Sequence, residues 1–213
     1  MRVERWSWEG PAGPNLRGLA PLLAEPGLVI VRFGERDGGG DGVPRRALEV
    51  WTASRAVTVA VIGEAGLAGP SLGVALCADL VYLVAGAGLE LPAGAAVPQP
   101  ALLLAARRAG PRAFRRIVLG EGVIGAEEAV KLGLAHAVVA GEEELPLPVA
   151  GSLAALTAGR DLLRSGASGT GALALESAAF RLVFAGGDPN EGARAFLERR
   201  PPDFGAKDEI DRS

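Results

Sequence analysis

The chain has 213 residues, 49% of them hydrophobic and 22% charged, and its formal net charge is −3. This length and composition predict a globular protein with a sizeable core. Nucleic acid and anionic membranes need a concentrated basic face, so the weakly acidic balance argues against both as partners. The first residues, MRVERW, lack the apolar core of a signal peptide, and we expect a cytoplasmic protein.

Rare residue types exclude two further classes. The single cysteine, Cys77, cannot form an internal disulfide, and no spaced set of Cys and His predicts a metal site. Lysine occurs only at positions 131 and 207, and Asn and Gln are few. That bias is typical of a thermophile and equally of a GC-rich genome.

Short apolar runs alternate with helix-like segments up to about residue 140. This alternation predicts βαβ units and mostly parallel strand pairing. From about residue 150 onward the pattern predicts only helix and loop. The predicted strands are 27–33, 57–62 and 80–84, and the predicted helices are 47–54, 72–78, 101–109, 112–119 and 126–132.

Three blocks of sequence carry a resemblance to a known family. The first is a strand, a glycine-rich turn and a helix that ends at Asp79. The second is LGEGVIGAEEAVKLGLAHAVV, and the third is EGARAFLERRPPDFGAK. Their order and spacing resemble the enoyl-CoA hydratase/isomerase (crotonase) superfamily.

This resemblance implies an α/β fold with a crotonase-like (Clp/crotonase) ββα spiral core over residues 1–150. A helical oligomerisation region should follow over residues 151–213. The resemblance also implies a coenzyme A thioester as substrate or ligand, no other cofactor, and a homotrimer or hexamer as the assembly.

In the family, two backbone N–H groups hold the thioester oxygen. Counting back from Asp79, the family's glycine-rich turn falls on residues 69–71, provided that two residues are inserted after Gly63. Its middle member, which gives one N–H, is Pro70 here, and proline has no N–H. The resemblance assigns the second donor to Gly38, within GGGDG.

The family's acid/base pair is two glutamates on either side of the acyl chain. Their positions here are Gly73 and Ala93, and neither residue can transfer a proton. The nearest carboxylates are Glu64, in the turn, and Glu90, which strand alternation places on the side opposite to Ala93. We therefore expect weak or lost hydratase activity, with Glu64 and Glu90 as weak substitutes.

The C-terminal block is the family's last helix, which packs against neighbouring subunits and flanks the adenine end of CoA. Phe196, Phe204 and Lys207 are therefore candidates for CoA binding or for a subunit interface. The alternative is that Phe196 and Leu197 simply fill the buried face of a helix.

Residues 69–73 also read G-x-S-x-G between a strand and a helix, the pattern of a nucleophile elbow. It suggests a serine hydrolase of the Clp-like type using Ser71, which needs a histidine base, and His136 is the only histidine. The third hypothesis is a non-catalytic paralogue that keeps the fold for assembly or ligand binding.

Overall fold

The computed structural model describes residues 2–8, 14–34, 45–91, 109–120, 122–147, 151–165 and 169–204. The chain divides into two compact units, Arg2–Pro146 and a second unit that begins at Leu147. We call them the sheet unit and the helical unit. The division lies a few residues before the boundary predicted at residue 150.

The sheet unit contains two sheets. Five parallel strands lie in the order β1-β2-β3-β4-β7, and β5 pairs with β6 in antiparallel orientation. The strands are β1 Val3–Trp8, β2 Leu28–Phe33, β3 Val57–Ile62, β4 Leu80–Val84, β5 Gly88–Leu91, β6 Gly122–Gly125 and β7 Ala137–Val139. The helices are α1 Pro14–Ala24, α2 Arg45–Thr52, α3 Pro70–Leu76, α4 Pro111–Leu119 and α5 Ala126–Lys131, followed by a 3₁₀ turn at Glu142–Glu144.

The three predicted strands are confirmed, and so is their parallel pairing. Their continuous apolar runs reflect burial of both sheet faces, which is typical of parallel sheets. The predicted helix at 72–78 begins two residues earlier, at Pro70, because proline suits the first helical position. Most of the predicted helix at 101–109 lies outside the described residues.

One face of the large sheet carries the main core. Alternate residues of the strands pack there against α1, α2 and α3, as strand geometry requires. Contributors from the sheet include Trp8, Val31, Phe33, Ala60, Ile62, Val81 and Leu83, and from the helices Leu19, Leu23, Trp51, Leu72 and Ala75.

The helical unit contains α6 Leu153–Ser165, α7 Gly169–Phe184 and α8 Asp188–Glu198, and no strand occurs among its described residues. Among the residues of these helices whose burial is described, Ala195 is the one buried apolar residue. Large apolar side chains are instead exposed, namely Leu163, Leu175, Phe180, Leu182, Phe184, Phe196 and Leu197.

Candidate functional site

The glycine-rich turn lies just before α3, beyond the carboxyl end of β3. Ligands of open parallel sheets bind at this edge. Gly69 has a φ of 69°, in the region that favours glycine, and Pro70 is the first helical residue. The Leu72 N–H donates to the Gly69 carbonyl at 3.2 Å. Because Pro70 has no N–H, the middle position of the turn offers no backbone donor.

The segment between Gly63 and the glycine-rich turn, where the resemblance requires two inserted residues, pairs with β5 through Leu67. The Leu67 N–H donates to the Gly88 carbonyl, and the Glu90 N–H donates to the Leu67 carbonyl, each at 2.9 Å. Gly66, with a φ of 75°, is required here, because a Cβ would lie 2.4 Å from the Gly88 carbonyl oxygen. The segment thus joins the turn to the small sheet.

Ser71 is fully buried, and its hydroxyl oxygen accepts a hydrogen bond from the Trp8 indole N–H at 2.6 Å. The Trp8 ring stacks on Phe33, with 5.4 Å between ring centroids, and Phe33 meets Trp51 edge-on at 6.3 Å. An aromatic cluster of Trp8, Phe33 and Trp51 therefore fills the core at the carboxyl end of β1 and β2. Nothing in the sequence pattern linked Trp8 to Ser71, 63 positions apart.

Gly73, which the resemblance places at the position of the family's first glutamate, is buried within α3. No residue of this helix, PSLGVAL, is acidic. The position of the second, Ala93, lies outside the described residues, as does the oxyanion candidate Gly38. Leu91, the last residue of β5, is only 3% exposed.

Glu64 and Glu90 line one shallow cavity of about 170 Å³. The side-chain Cγ of Glu64 lies 3.7 Å from where a Cβ of Gly86 would stand, which is an ordinary van der Waals contact, and Gly86 has a φ of 87° that favours glycine. On β5, Leu89 and Leu91 are buried and Glu90 is only partly buried, so Glu90 faces away from them. The placement of Glu90 opposite Ala93 stays a prediction, because Ala93 lies outside the described residues. The sequence did not predict that Glu64 and Glu90 line the same cavity.

His136 and Ser71 have different partners. The Nδ1 atom of His136 accepts the backbone N–H of Val81 at 3.1 Å, and the His136 N–H donates to the Val81 carbonyl at 2.7 Å. Burial lowers the pKa of His136. The His136 ring therefore stabilises the pairing of β4 with the residue just before β7. The hydroxyl group of Ser71 instead contacts Trp8.

Asp79, which sets the register of the family match, is held by three hydrogen bonds to Thr58. Its carboxylate accepts the Thr58 N–H at 2.9 Å and the Thr58 hydroxyl at 2.8 Å. The Asp79 N–H in turn donates to the Thr58 hydroxyl oxygen at 3.0 Å. These hydrogen bonds fix the segment that follows α3 against the start of β3.

In the C-terminal block, Glu191 accepts hydrogen bonds from the Arg200 guanidinium, at 2.6 and 3.1 Å, and from the Asp203 N–H at 2.8 Å. The hydrogen bonds from Arg200, followed by that from Asp203, lower the pKa of Glu191 to about 2. These bonds fix the residues that follow α8 against the first turn of the same helix. Phe204 lies near Gly192, whose Cβ would stand 3.9 Å from its ring.

Of the three tail candidates, Phe196 is 83% exposed and Phe204 is partly buried. Lys207 lies outside the described residues. Phe196 and Leu197, the latter 80% exposed, do not fill a buried helix face within this chain.

Within the described ranges, no group of three or more His, Cys, Asp or Glu side chains could hold a metal ion. No helix in the described part of the chain is long and apolar enough to cross a membrane.

Comparison with known proteins defines the class. The fold matches an enoyl-CoA hydratase from Bacillus anthracis with a TM-score of 0.71 at 19% identity, covering 90% of this chain and 87% of that one. An enoyl-CoA hydratase/isomerase from Mycobacterium paratuberculosis gives 0.71 at 18% identity, with the same coverages. The protein therefore has the crotonase fold, an α/β fold with a parallel sheet.

In sequence, the chain is 36% identical over 112 residues to crotonyl-CoA hydratase of Syntrophomonas wolfei subsp. wolfei. The match spans 47% of this chain and 42% of that relative, which is less than half of either. No family model matches the sequence. In sequence the chain is thus similar to part of a crotonyl-CoA hydratase, and in fold it is similar to enoyl-CoA hydratases and isomerases.

Proposed function

We propose that this protein binds coenzyme A thioesters at the carboxyl edge of its sheet and has little or no 2-enoyl-CoA hydratase activity. The observation that carries the proposal is Gly73, buried in α3 where the family has its first glutamate. Hydration needs one group to activate water and another to protonate the alpha carbon. With Pro70 in the turn, one of the two backbone donors is also missing.

Glu64 and Glu90 are poor replacements for the missing acids. They share a cavity, but on β5 Glu90 faces away from Leu89 and Leu91. The acyl chain of a thioester held at the turn would pass the other face of the strand. The orientation of Glu90 favours a ligand-binding or assembly role over catalysis.

The test is a hydration assay with pure protein and crotonyl-CoA. Because each missing acid/base group is worth about a hundred- to ten-thousandfold, we expect turnover near the uncatalysed background. The matched control is the double variant Glu64→Gln with Glu90→Gln, which should behave like the parent. A robust rate in the parent that this variant abolishes would contradict the proposal.

Binding is tested separately by calorimetry. One backbone hydrogen bond contributes only about 1 kcal/mol, so free CoA and acetyl-CoA should bind with nearly equal affinity. Pro70→Gly restores an N–H and should favour acetyl-CoA selectively, whereas Ser71→Ala should not. An esterase or peptidase activity lost in Ser71→Ala would favour the serine hydrolase instead.

We also propose that the helical unit mediates assembly into a homotrimer or hexamer. Leu163, Phe196 and Leu197 are each at least 80% exposed, and exposed apolar groups of this size mark contact surfaces. Light scattering at micromolar concentration should report a trimer or hexamer. A monomer under these conditions would remove this part of the proposal.

A further inference from the structure

Among the three tryptophans, Trp8 differs from the other two in its hydrogen bonding. Its indole N–H donates to Ser71, whereas the indole nitrogens of Trp6 and Trp51 are buried without a hydrogen-bond partner among the described residues. In the described part of the chain, no hydrogen bond therefore orients the indole ring of Trp6 or of Trp51. Trp8 alone is directed by a specific bond to the start of α3.

The place to which Trp8 is directed is the turn itself. Ser71 follows Pro70 directly, and Ser71, Leu72 and Gly73 are all buried. The Trp8 ring, 7% exposed, is thus held between Phe33 and the first turn of α3. A large, rigid ring occupies the volume next to the residues where a thioester carbonyl would be held.

We infer that Trp8 determines ligand specificity by limiting the size of the acyl group beside the turn, an inference that rests on the proposed function. Free CoA and short acyl thioesters would be accepted, and longer, bulkier acyl groups would be excluded. Truncating Trp8 should remove this limit, because an apolar cavity of about 150 Å³ in a protein core binds small hydrophobic molecules.

The neighbouring Trp51 provides a matched control. It belongs to the same cluster and is 1% exposed, but its ring meets Phe33 edge-on and its indole N–H makes no hydrogen bond to Ser71. Trp51→Ala therefore deletes the same kind of side chain from the cluster and leaves the bond between Trp8 and Ser71 in place. A general loosening of the core would affect both variants alike.

The experiment measures binding of free CoA, acetyl-CoA and hexanoyl-CoA by calorimetry to the parent, Trp8→Ala and Trp51→Ala. We expect Trp8→Ala to raise the affinity for hexanoyl-CoA relative to free CoA at least tenfold, and Trp51→Ala to leave that ratio within twofold of the parent. If Trp8→Ala does not fold, Trp8→Leu replaces it and should raise the ratio at least threefold.

Two results would overturn the inference. An unchanged ratio in the Trp8 variants, with free CoA still bound, would refute the role of Trp8 alone. An equal gain in Trp51→Ala would show that cavity formation anywhere in the cluster is sufficient. Absence of free-CoA binding to the parent would instead refute the proposed function, and the inference with it.

Discussion

The two units of this protein treat apolar side chains in opposite ways. In the sheet unit, Phe33 and Leu72 are completely buried in one continuous cluster. In the helical unit, Phe196 and Leu163 are more than four-fifths exposed. Burial of apolar surface is the main stabilising contribution to folding, so the buried cluster stabilises the sheet unit by itself. The helices present surface that a further contact would have to cover.

The difference in burial between the two units can be tested with one matched pair of phenylalanines. Phe33→Ala should lower the free energy of unfolding by about 3–5 kcal/mol, because it leaves a cavity in the cluster. Phe196→Ala should change it by less than about 0.5 kcal/mol in the monomer. Urea unfolding followed by circular dichroism at low protein concentration measures both. Equal costs would mean that Phe196 is as well packed as Phe33.

A second pair compares hydroxyl groups. Thr58→Val removes the buried hydroxyl that donates to Asp79 and accepts from its N–H, and should cost about 1–3 kcal/mol. Thr157→Val, in α6, removes bonds to the Leu153 and Ala154 carbonyls within the helix and should cost less than about 0.5 kcal/mol. Thr58→Ser, which keeps the hydroxyl, should recover most of the loss.

The sheet unit should also lose stability in mild acid. His136 is the only histidine, and its folded-state pKa lies below the ordinary value of 6.5 because of burial. The unfolded chain therefore binds a proton more readily, and stability should fall as the pH drops from about 7.5 towards 5. A protonated Nδ1 could not accept the Val81 N–H. His136→Asn should flatten the dependence of the melting temperature on pH over this range, and a parent already flat there would contradict the assignment.

The smallest effect is expected in the helical unit, at Glu191. Its pKa of about 2 lies below the ordinary 4.5, so its stabilisation is present above about pH 4.5 and is lost as the pH falls towards 2. Glu191→Gln should melt slightly below the parent at pH 7, and the difference should narrow from pH 4.5 to 3. An unchanged difference would show that Arg200 does not stabilise the charged form.

The sequence predicts the buried central strands of the sheet better than its edge strand. β3 and β4 were predicted because each is a continuous apolar run, as burial on both faces requires. β1 was missed because it is an edge strand with charged residues, VERWSW, although Trp6 and Trp8 at alternate positions were a usable signal.

The site was less predictable than the fold. The family resemblance assigns roles to residues 69–71 and to Gly73 by a count along the sequence, and those roles stay predictions. It could not place Glu64 with Glu90, or Trp8 with Ser71, because each pair meets only through the pairing of distant strands and helices. Such contacts leave no periodic trace in the sequence.

The distribution of chromophores has a practical consequence. All three tryptophans, at positions 6, 8 and 51, and the single tyrosine, Tyr82, lie in the sheet unit. Intrinsic fluorescence therefore reports on the sheet unit. Far-ultraviolet circular dichroism, in contrast, also reports on the long C-terminal helices. If the helices melt first, the two probes will give separate transitions, and the chain will not obey a two-state description.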